Sequence, residues 1–135
     1  MAKIDELEIG QSASYERTGS EEDIVRFAEG SGDDNPVHLD EEFASKTVFK
    51  GRIAHGMLGA GFISTVVGTR LPGYGSIYVS QSLRFRAPVR IGDTIVTTAT
   101  VKSIDKERKR VTMETVCAIG DKTVIDGEAE LMLTA

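Results

Sequence analysis

The sequence predicts an α+β domain in which an antiparallel sheet covers one very apolar helix. Two patterns support this prediction. Residues 53–69 contain no Asp, Glu, Lys or Arg, which is typical of a helix surrounded by other protein. From residue 77 onward apolar and polar side chains alternate, as they do in strands with one buried face. Helix segregated onto an antiparallel sheet is the α+β architecture.

The chain before the apolar helix predicts one strand and two helices. Residues 12–18 are expected to be extended. Ser20 is a good N-cap and is followed by three acidic residues, which the helix dipole favours in a first turn. The Gly-Ser-Gly run at 30–32 should end that helix, and a short second helix is expected at 40–46.

After the apolar helix, which should end near Thr69, the pattern predicts strands only. The first, at 77–85, should bury one face. Hairpin-like turns are expected at 105–109 and 120–122. The three remaining strands are predicted at 94–104, 110–119 and 123–133. A curved sheet wrapped around one central helix, the hotdog arrangement, fits this order, but the pattern alone does not select it over other α+β folds.

Length and composition indicate one soluble domain, residues 1–135, and exclude several functions. With 16 basic and 21 acidic residues the formal net charge is −5, whereas nucleic-acid binders usually show a basic excess. The single cysteine, Cys117, excludes an internal disulfide and suits a reducing cytoplasm. There is no Cys/His cluster for a metal, the N-terminus has no signal-peptide pattern, and the apolar segment is short for a membrane span.

The densest polar segment, residues 31–38, reads Ser-Gly-Asp-Asp-Asn-Pro-Val-His. These are turn-forming residues, so an ordinary turn is one interpretation. The other is a catalytic pair, because Asp33 and His38 can converge across the turn. A carboxylate beside an imidazole can hold and deprotonate a water molecule near neutral pH.

A second segment, Ala-His-Gly-Met-Leu at 54–58, opens the apolar helix. A glycine at a helix N-terminus lets a substrate carbonyl approach free backbone N–H groups, which is the geometry of an oxyanion hole. Helix packing is an equally good reason for Gly56. His55 just before it is expected to bond to backbone and to fix the chain's entry into the helix.

Together these two segments, with Phe27 upstream and Leu-Pro-Gly at 71–73, resemble the MaoC-like hydratases, the (R)-specific enoyl-CoA hydratases of short bacterial type. The resemblance covers about residues 10–135. It implies the hotdog fold and reversible addition of water to a trans-2-enoyl-CoA, giving a (3R)-hydroxyacyl-CoA. It also implies a homodimer, an acyl-CoA thioester as the only partner molecule, and no metal or other cofactor.

The resemblance also implies roles for individual residues. Asp33 and His38 match the catalytic pair, and Gly56 matches the glycine whose N–H polarises the thioester carbonyl. Asn35 matches a position that orders the catalytic loop. Ser64 matches a small polar residue that faces the site from the central helix. Val67 lies three residues further on, so we expect Ser64 and Val67 together to form the floor of the acyl pocket.

Three alternative functions remain open at this point. An acyl-carrier-protein dehydratase subunit would use the same chemistry on another carrier. A hotdog acyl-CoA thioesterase would use a carboxylate on or near the central helix, and residues 53–69 contain none. A non-catalytic acyl-CoA-binding partner would not need the Asp33/His38 pair. Polyhydroxyalkanoate monomer supply is an association by analogy alone, and Cys117 is expected to be a small apolar core residue.

Overall fold

A computed structural model describes all 135 residues and contains four α-helices and six β-strands after a short 3-10 helix, Ile4–Glu6. The strands are β1 (Ser12–Thr18), β2 (Ser76–Gln81), β3 (Arg84–Phe85), β4 (Thr94–Asp105), β5 (Arg110–Ile119) and β6 (Lys122–Leu133). The helices are α1 (Glu21–Ser31), α2 (Pro36–Leu39), α3 (Glu41–Ser45) and α4 (Gly56–Thr69). All strands belong to one antiparallel sheet in the order β1-β4-β5-β6-β2, with β3 also paired to β6.

The predicted boundaries of α1 are confirmed by its caps. The Ser20 hydroxyl accepts a hydrogen bond from the Asp23 N–H at 3.1 Å, and the Asp23 carboxylate accepts one from the Ser20 N–H at 3.2 Å. This reciprocal capping box satisfies two backbone donors at the helix start. At the other end Gly32 has φ 80°, a left-handed conformation that glycine adopts without strain.

An ion pair fastens α1 to the first strand. The Arg17 guanidinium on β1 donates two hydrogen bonds to the Asp23 carboxylate, at 2.6 and 3.0 Å. Asp23 is buried, and the hydrogen bonds from Arg17 hold the pKa of its carboxyl below the usual range. The pair therefore fixes where α1 begins, and α1 leads directly into the polar segment at 31–38.

Helix α4 packs across the sheet, as predicted, and divides the core into two clusters. Val66 and Val67 near its C-terminus pack with β4, β5 and β6, whereas Phe62 and Ile63 pack with a second set of sheet residues. The expectation that α4 is enclosed on all sides is wrong for the single chain, because Met57 is 57% exposed. No helix in the structure has the length and hydropathy needed to cross a bilayer.

The expected strand at 77–85 is wrong in two respects. It is broken into β2 and β3, and β2 has large side chains exposed on both faces, including Ile77, Tyr78 and Val79. One reason is position, since β2 is an edge strand of the sheet. The other is a close crossing at the break: a Cβ on Gly127 would lie 1.8 Å from the Ser82 carbonyl oxygen, so only glycine fits there.

Candidate active site

The segment that follows α1 is held in shape by its own side chains. Ser31 Oγ donates to the Phe27 carbonyl at 2.6 Å and accepts from the Asp33 N–H at 3.1 Å. Asn35 caps α2 by accepting from the Val37 N–H at 3.1 Å, and its own N–H donates to Asp33 Oδ1 at 3.3 Å. The expected polar loop is therefore shorter than predicted, because Pro36 begins a one-turn helix that carries His38.

His38 is buried and its ring is held in a single orientation. Its Nδ1 lies 2.8 Å from the Ile53 carbonyl oxygen. A carbonyl oxygen can only accept, so Nδ1 carries a hydrogen, and in the neutral form of the imidazole the free lone pair is then on Nε2. Nε2 makes no hydrogen bond within the protein, which leaves it available to a water molecule or a substrate.

His55 lies against His38 and is still more buried, at 3% exposed. The two rings are stacked, and His55 also contacts the Phe27 ring, with centroids 4.7 Å apart. Nε2 of His55 donates to the Asp33 carbonyl at 2.9 Å. The predicted bond to backbone is thus present, but its acceptor lies in the 31–38 segment rather than at the helix entry. Nδ1 of His55 is buried without a partner.

These side chains converge at a cavity of about 490 Å³. One nitrogen from each of His38 and His55 and one carboxylate oxygen of Asp33 all lie within 4.8 Å of one another. The cavity is of the size that small-molecule sites usually have, and it is lined mainly by hydrophobic residues. Its apolar walls include Phe62, Ile95, Cys117, Val124 and Ile125.

Gly56 lines the same cavity at the first position of α4. The backbone N–H groups of Gly56 and Met57 have no acceptor in the structure, as expected for the first turn of a helix. Packing also favours the glycine, because a Cβ would lie 2.7 Å from two atoms of the Phe85 ring. Both sequence-based reasons for Gly56 are therefore compatible with the structure. Phe85 itself was not predicted as a site residue, and nothing in its strand pattern distinguishes it.

Neither Ser64 nor Val67, the predicted floor of the acyl pocket, lines this cavity. Val67 is fully buried in the other core cluster, with Val101, Met113 and Leu131. Ser64 is exposed on the outer side of α4. A spacing of three places residues within 60° of one another on a helix, but it does not tell which neighbour each one meets.

Cys117 has the predicted core position and is fully buried. Burial raises the pKa of its thiol, and the Thr97 hydroxyl donates to Sγ at 3.4 Å. The group therefore stays a protonated thiol at neutral pH. It forms part of the cavity wall and is not suited to act as a nucleophile.

The Asp33, His38 and His55 cluster has the residue types of a metal site but not its geometry. His38 Nδ1 and His55 Nε2 are occupied by carbonyl oxygens, so Nε2 and Nδ1 respectively would have to bind the ion. The two ring centroids are 3.8 Å apart with planes at 29°, so the lone pairs lie in nearly parallel planes. An ion at about 2.1 Å from one nitrogen would lie well outside the plane of the other ring.

An antiparallel sheet packed on one central helix, with Asp33, His38 and the first residue of that helix lining one cavity, defines a protein of the hotdog hydratase class. The chain belongs to the MaoC-like family, whose domain model matches residues 5–122. It is 57% identical to the (R)-specific enoyl-CoA hydratase of Rhodospirillum rubrum, over 98% of this chain and 92% of that protein. It is 50% identical to the 3-hydroxybutyryl-CoA dehydratase of Methylorubrum extorquens, over 93% of this chain and 80% of that protein. The solved (R)-hydratase of Aeromonas caviae, involved in PHA biosynthesis, superposes with a TM-score of 0.91 at 38% identity and covers 95% of this chain and 98% of that one.

Proposed function

We propose that this protein is an (R)-specific enoyl-CoA hydratase, which adds water reversibly to trans-2-enoyl-CoA and gives (3R)-hydroxyacyl-CoA. The observation that carries the proposal is the placement of Asp33 and His38 together at an apolar cavity that also contains the free N–H of Gly56. The relatives named above support the same reaction in both directions, since one is a hydratase and another is a dehydratase.

The Asp33/His38 pair would hold the reacting water. The free Nε2 of His38 and the Asp33 carboxylate each accept a hydrogen bond from it, and the pair takes up one proton as the water oxygen bonds to C3. The electron pair of the C2–C3 double bond moves toward the thioester carbonyl as this bond forms. C2 then receives a proton from the same side, so the pair returns to its starting state.

The negative charge that develops on the carbonyl oxygen needs a donor, and Gly56 supplies one. Its N–H is free and stands at the positive end of the α4 dipole. Donors of this kind act without reorganisation during the reaction, which is why they lower barriers effectively. Asn35 supports the other half of the site, because it caps α2 and its N–H contacts the Asp33 carboxylate.

A thioesterase function is less well supported by the same residues. Hydrolysis of the thioester in this fold calls for a carboxylate on or near the central helix, and α4 contains no acidic residue. Cys117 is a buried thiol whose raised pKa does not suit a nucleophile. Hydration of the double bond needs no covalent nucleophile, and this matches what the cavity offers.

The acyl carrier and the pathway are proposed on narrower grounds. Coenzyme A is the carrier named for the two sequence relatives, and we assign it here in preference to acyl carrier protein. We also propose monomer supply for polyhydroxyalkanoate, because the similar (R)-hydratase of Aeromonas caviae is involved in PHA biosynthesis. A cytoplasmic location fits the unpaired Cys117, which a reducing compartment would preserve.

A homodimer is the assembly that the exposed surface favours. Strand β2 is an open sheet edge, and Ile77, Tyr78 and Val79 on it are 45%, 38% and 42% exposed. An uncovered apolar edge is an aggregation hazard, and a second copy related by a two-fold axis is the commonest way to cover one. Light scattering should give twice the 14.6 kDa chain mass at micromolar concentration. A particle of single-chain mass would exclude the dimer.

The reaction itself is tested with crotonyl-CoA and the purified chain. We expect loss of enoyl absorbance without release of free thiol, and chiral analysis should find the (3R)-hydroxy product. Asp33→Asn serves as the inactive control. Release of free CoA would instead indicate a thioesterase. No change in either signal would indicate a non-catalytic acyl-CoA-binding protein.

A further inference from the structure

We propose that Arg52 is a positioning residue that sets the orientation of the His38 imidazole. The inference rests on the proposed function in one respect, because it takes His38 to be a catalytic residue. It adds a residue that lies outside the cavity and that neither the motif nor the comparisons assign. Arg52 would act on the reaction only through His38.

The first observation is that residues 52 and 53 hold His38 by both backbone and ring. Arg52 Nε donates to the His38 carbonyl at 2.6 Å. The Ile53 carbonyl accepts from His38 Nδ1 at 2.8 Å, and the Ile53 N–H donates to the Val37 carbonyl at 3.3 Å. These contacts fix α2 relative to residues 52 and 53, so a movement of Arg52 would change the direction in which His38 Nε2 points.

The second observation is that Arg52 is itself held in place. Its side chain is 14% exposed and forms a bidentate pair with Glu21, at 2.7 and 2.9 Å. Glu21 lies in the first turn of α1, and Glu41 on α3 accepts from the Arg52 N–H at 3.2 Å. The planar guanidinium can reach the carboxylate and the His38 carbonyl at once, and a lysine ammonium cannot reproduce that fork.

The third observation explains why a change at Arg52 should leave the fold intact. The chain around it is fixed separately by Arg90, whose guanidinium donates to the Phe49, Gly51 and Arg52 carbonyls. The path of residues 49–52 therefore does not depend on the Arg52 side chain. What that side chain supplies is the link from this segment to His38 and α1.

The test uses Arg52→Lys and Glu21→Gln in the full chain, alone and combined. A matched control is available on the same helix, because Glu22 and Arg26 form an exposed i,i+4 pair that contacts nothing in the site. Glu22→Gln therefore removes a more exposed ion pair elsewhere on α1. Steady-state hydration of crotonyl-CoA gives kcat and KM, and thermal melting reports the fold. The ¹⁵N spectrum of the histidine-labelled protein reports ring tautomers, and it is simple because the chain contains only His38 and His55.

For Arg52→Lys we expect kcat to fall about 10- to 100-fold with KM and Tm nearly unchanged, the scale of a small misplacement of a catalytic group. Glu21→Gln should lower kcat less, and the double variant should be no worse than Arg52→Lys, since both act through one contact. The His38 signals should shift from the Nδ1–H tautomer toward a mixture while those of His55 stay in place.

An unchanged His38 tautomer in Arg52→Lys would overturn the proposal, as would an equal loss of kcat in Glu22→Gln. A loss of kcat that follows Tm across the variants would also overturn it, because that is a purely structural effect. Wild-type protein without any hydratase activity would instead remove the proposed function. The spectra would still decide in that case whether Arg52 orients His38.

Discussion

The His38 and His55 rings are stacked with centroids 3.8 Å apart and planes at 29°. Because His55 also donates to the Asp33 carbonyl at 2.9 Å, one buried ring contacts both members of the candidate catalytic pair. We therefore expect the two histidines to have different tasks. His38 should keep a free Nε2 for water, and His55 should hold the distance between His38 and Asp33.

Alanine substitutions should separate these tasks. His38→Ala removes the ring that accepts the water proton, so turnover should fall by about 10²–10⁴, with a loss of about 1 kcal/mol in the free energy of unfolding for its single hydrogen bond. His55→Ala should cost about 1–3 kcal/mol of stability, because it removes the hydrogen bond to the Asp33 carbonyl and empties the buried site of the ring, and should keep part of the turnover. Thermal melts and crotonyl-CoA hydration measure both effects. A stable but inactive His55→Ala beside an active His38→Ala would reverse the two roles.

Asp33 and its neighbour Asp34 provide a matched test of the carboxylate in the candidate catalytic pair. Asp33→Asn should keep the fold and lower kcat by about 10²–10⁴, because an amide cannot accept the water proton. Asp34→Asn should be nearly silent, since the Asp34 side chain is exposed and makes no hydrogen bond or ion pair. Equal losses of activity in the two variants would show that the Asp33 assignment is wrong.

The sequence was sufficient where a local rule determines the structure. Ser20 and Asp23 form the capping box that their spacing predicts, and the uncharged run at 53–69 contains the central helix. The sequence was insufficient where the structure depends on which element packs against a residue. Periodicity predicts a buried face for β2, because it does not reveal which strand lies at the edge of the sheet. Helical spacing places Val67 beside Ser64, but it does not reveal that Val67 packs in the core cluster away from the cavity.

The candidate site shows the same division. The two short segments at 31–38 and 54–58 have strong local preferences, and in the structure Asp33, His38 and Gly56 from them line one cavity. Arg52 and Phe85 were not predicted, because their contacts are distant in sequence. Arg52 contacts His38, 14 positions away, and Phe85 contacts Gly56, 29 positions away (85 − 56). Long-range contacts of this kind follow from chain topology, which a single sequence does not specify.

The preference for acyl-chain length should depend on the cavity wall and not on the predicted floor of Ser64 and Val67. Ile125→Ala opens the cavity beside Cys117, so it should shift the preference toward longer chains, at a cost of about 2–5 kcal/mol in stability. Val67→Ala makes a comparable change in the other core cluster and should leave the preference unchanged. The ratio of C4 to C8 enoyl-CoA turnover measures both. A shift in that ratio for Val67→Ala, with none for Ile125→Ala, would show that the pocket floor lies on α4 as the sequence predicts.

The Arg17–Asp23 pair should make stability depend on acid pH. The folded pKa of Asp23 lies below its unfolded value, so the pair contributes fully above the ordinary Asp range and is lost as pH falls through the folded pKa. Asp23→Asn should therefore be less stable than wild type at pH 7, by about 1–2 kcal/mol after allowance for the partly exposed Arg17. Urea unfolding at pH 7 and pH 3 should show this difference shrinking in acid. Asp34→Asn is the control, and a difference for Asp23→Asn that does not change with pH would contradict the charge-based account.

The contact between Gly56 and Phe85 predicts a steric effect on the proposed oxyanion donor. Alanine at position 56 would place its Cβ 2.7 Å from two ring atoms, and Phe85, 53% exposed, is free to move away. Gly56→Ala should therefore fold, but displacement of the ring or of the α4 N-terminus should lower turnover by about 10- to 100-fold. Phe85→Ala in the same chain removes the collision and should recover part of the lost turnover, whereas Phe85→Ala alone should be mild. Hydration rates of the three variants form a double-mutant cycle. Additive losses would mean that the ring and the glycine act independently, and would exclude packing on Phe85 as the reason for glycine at this position.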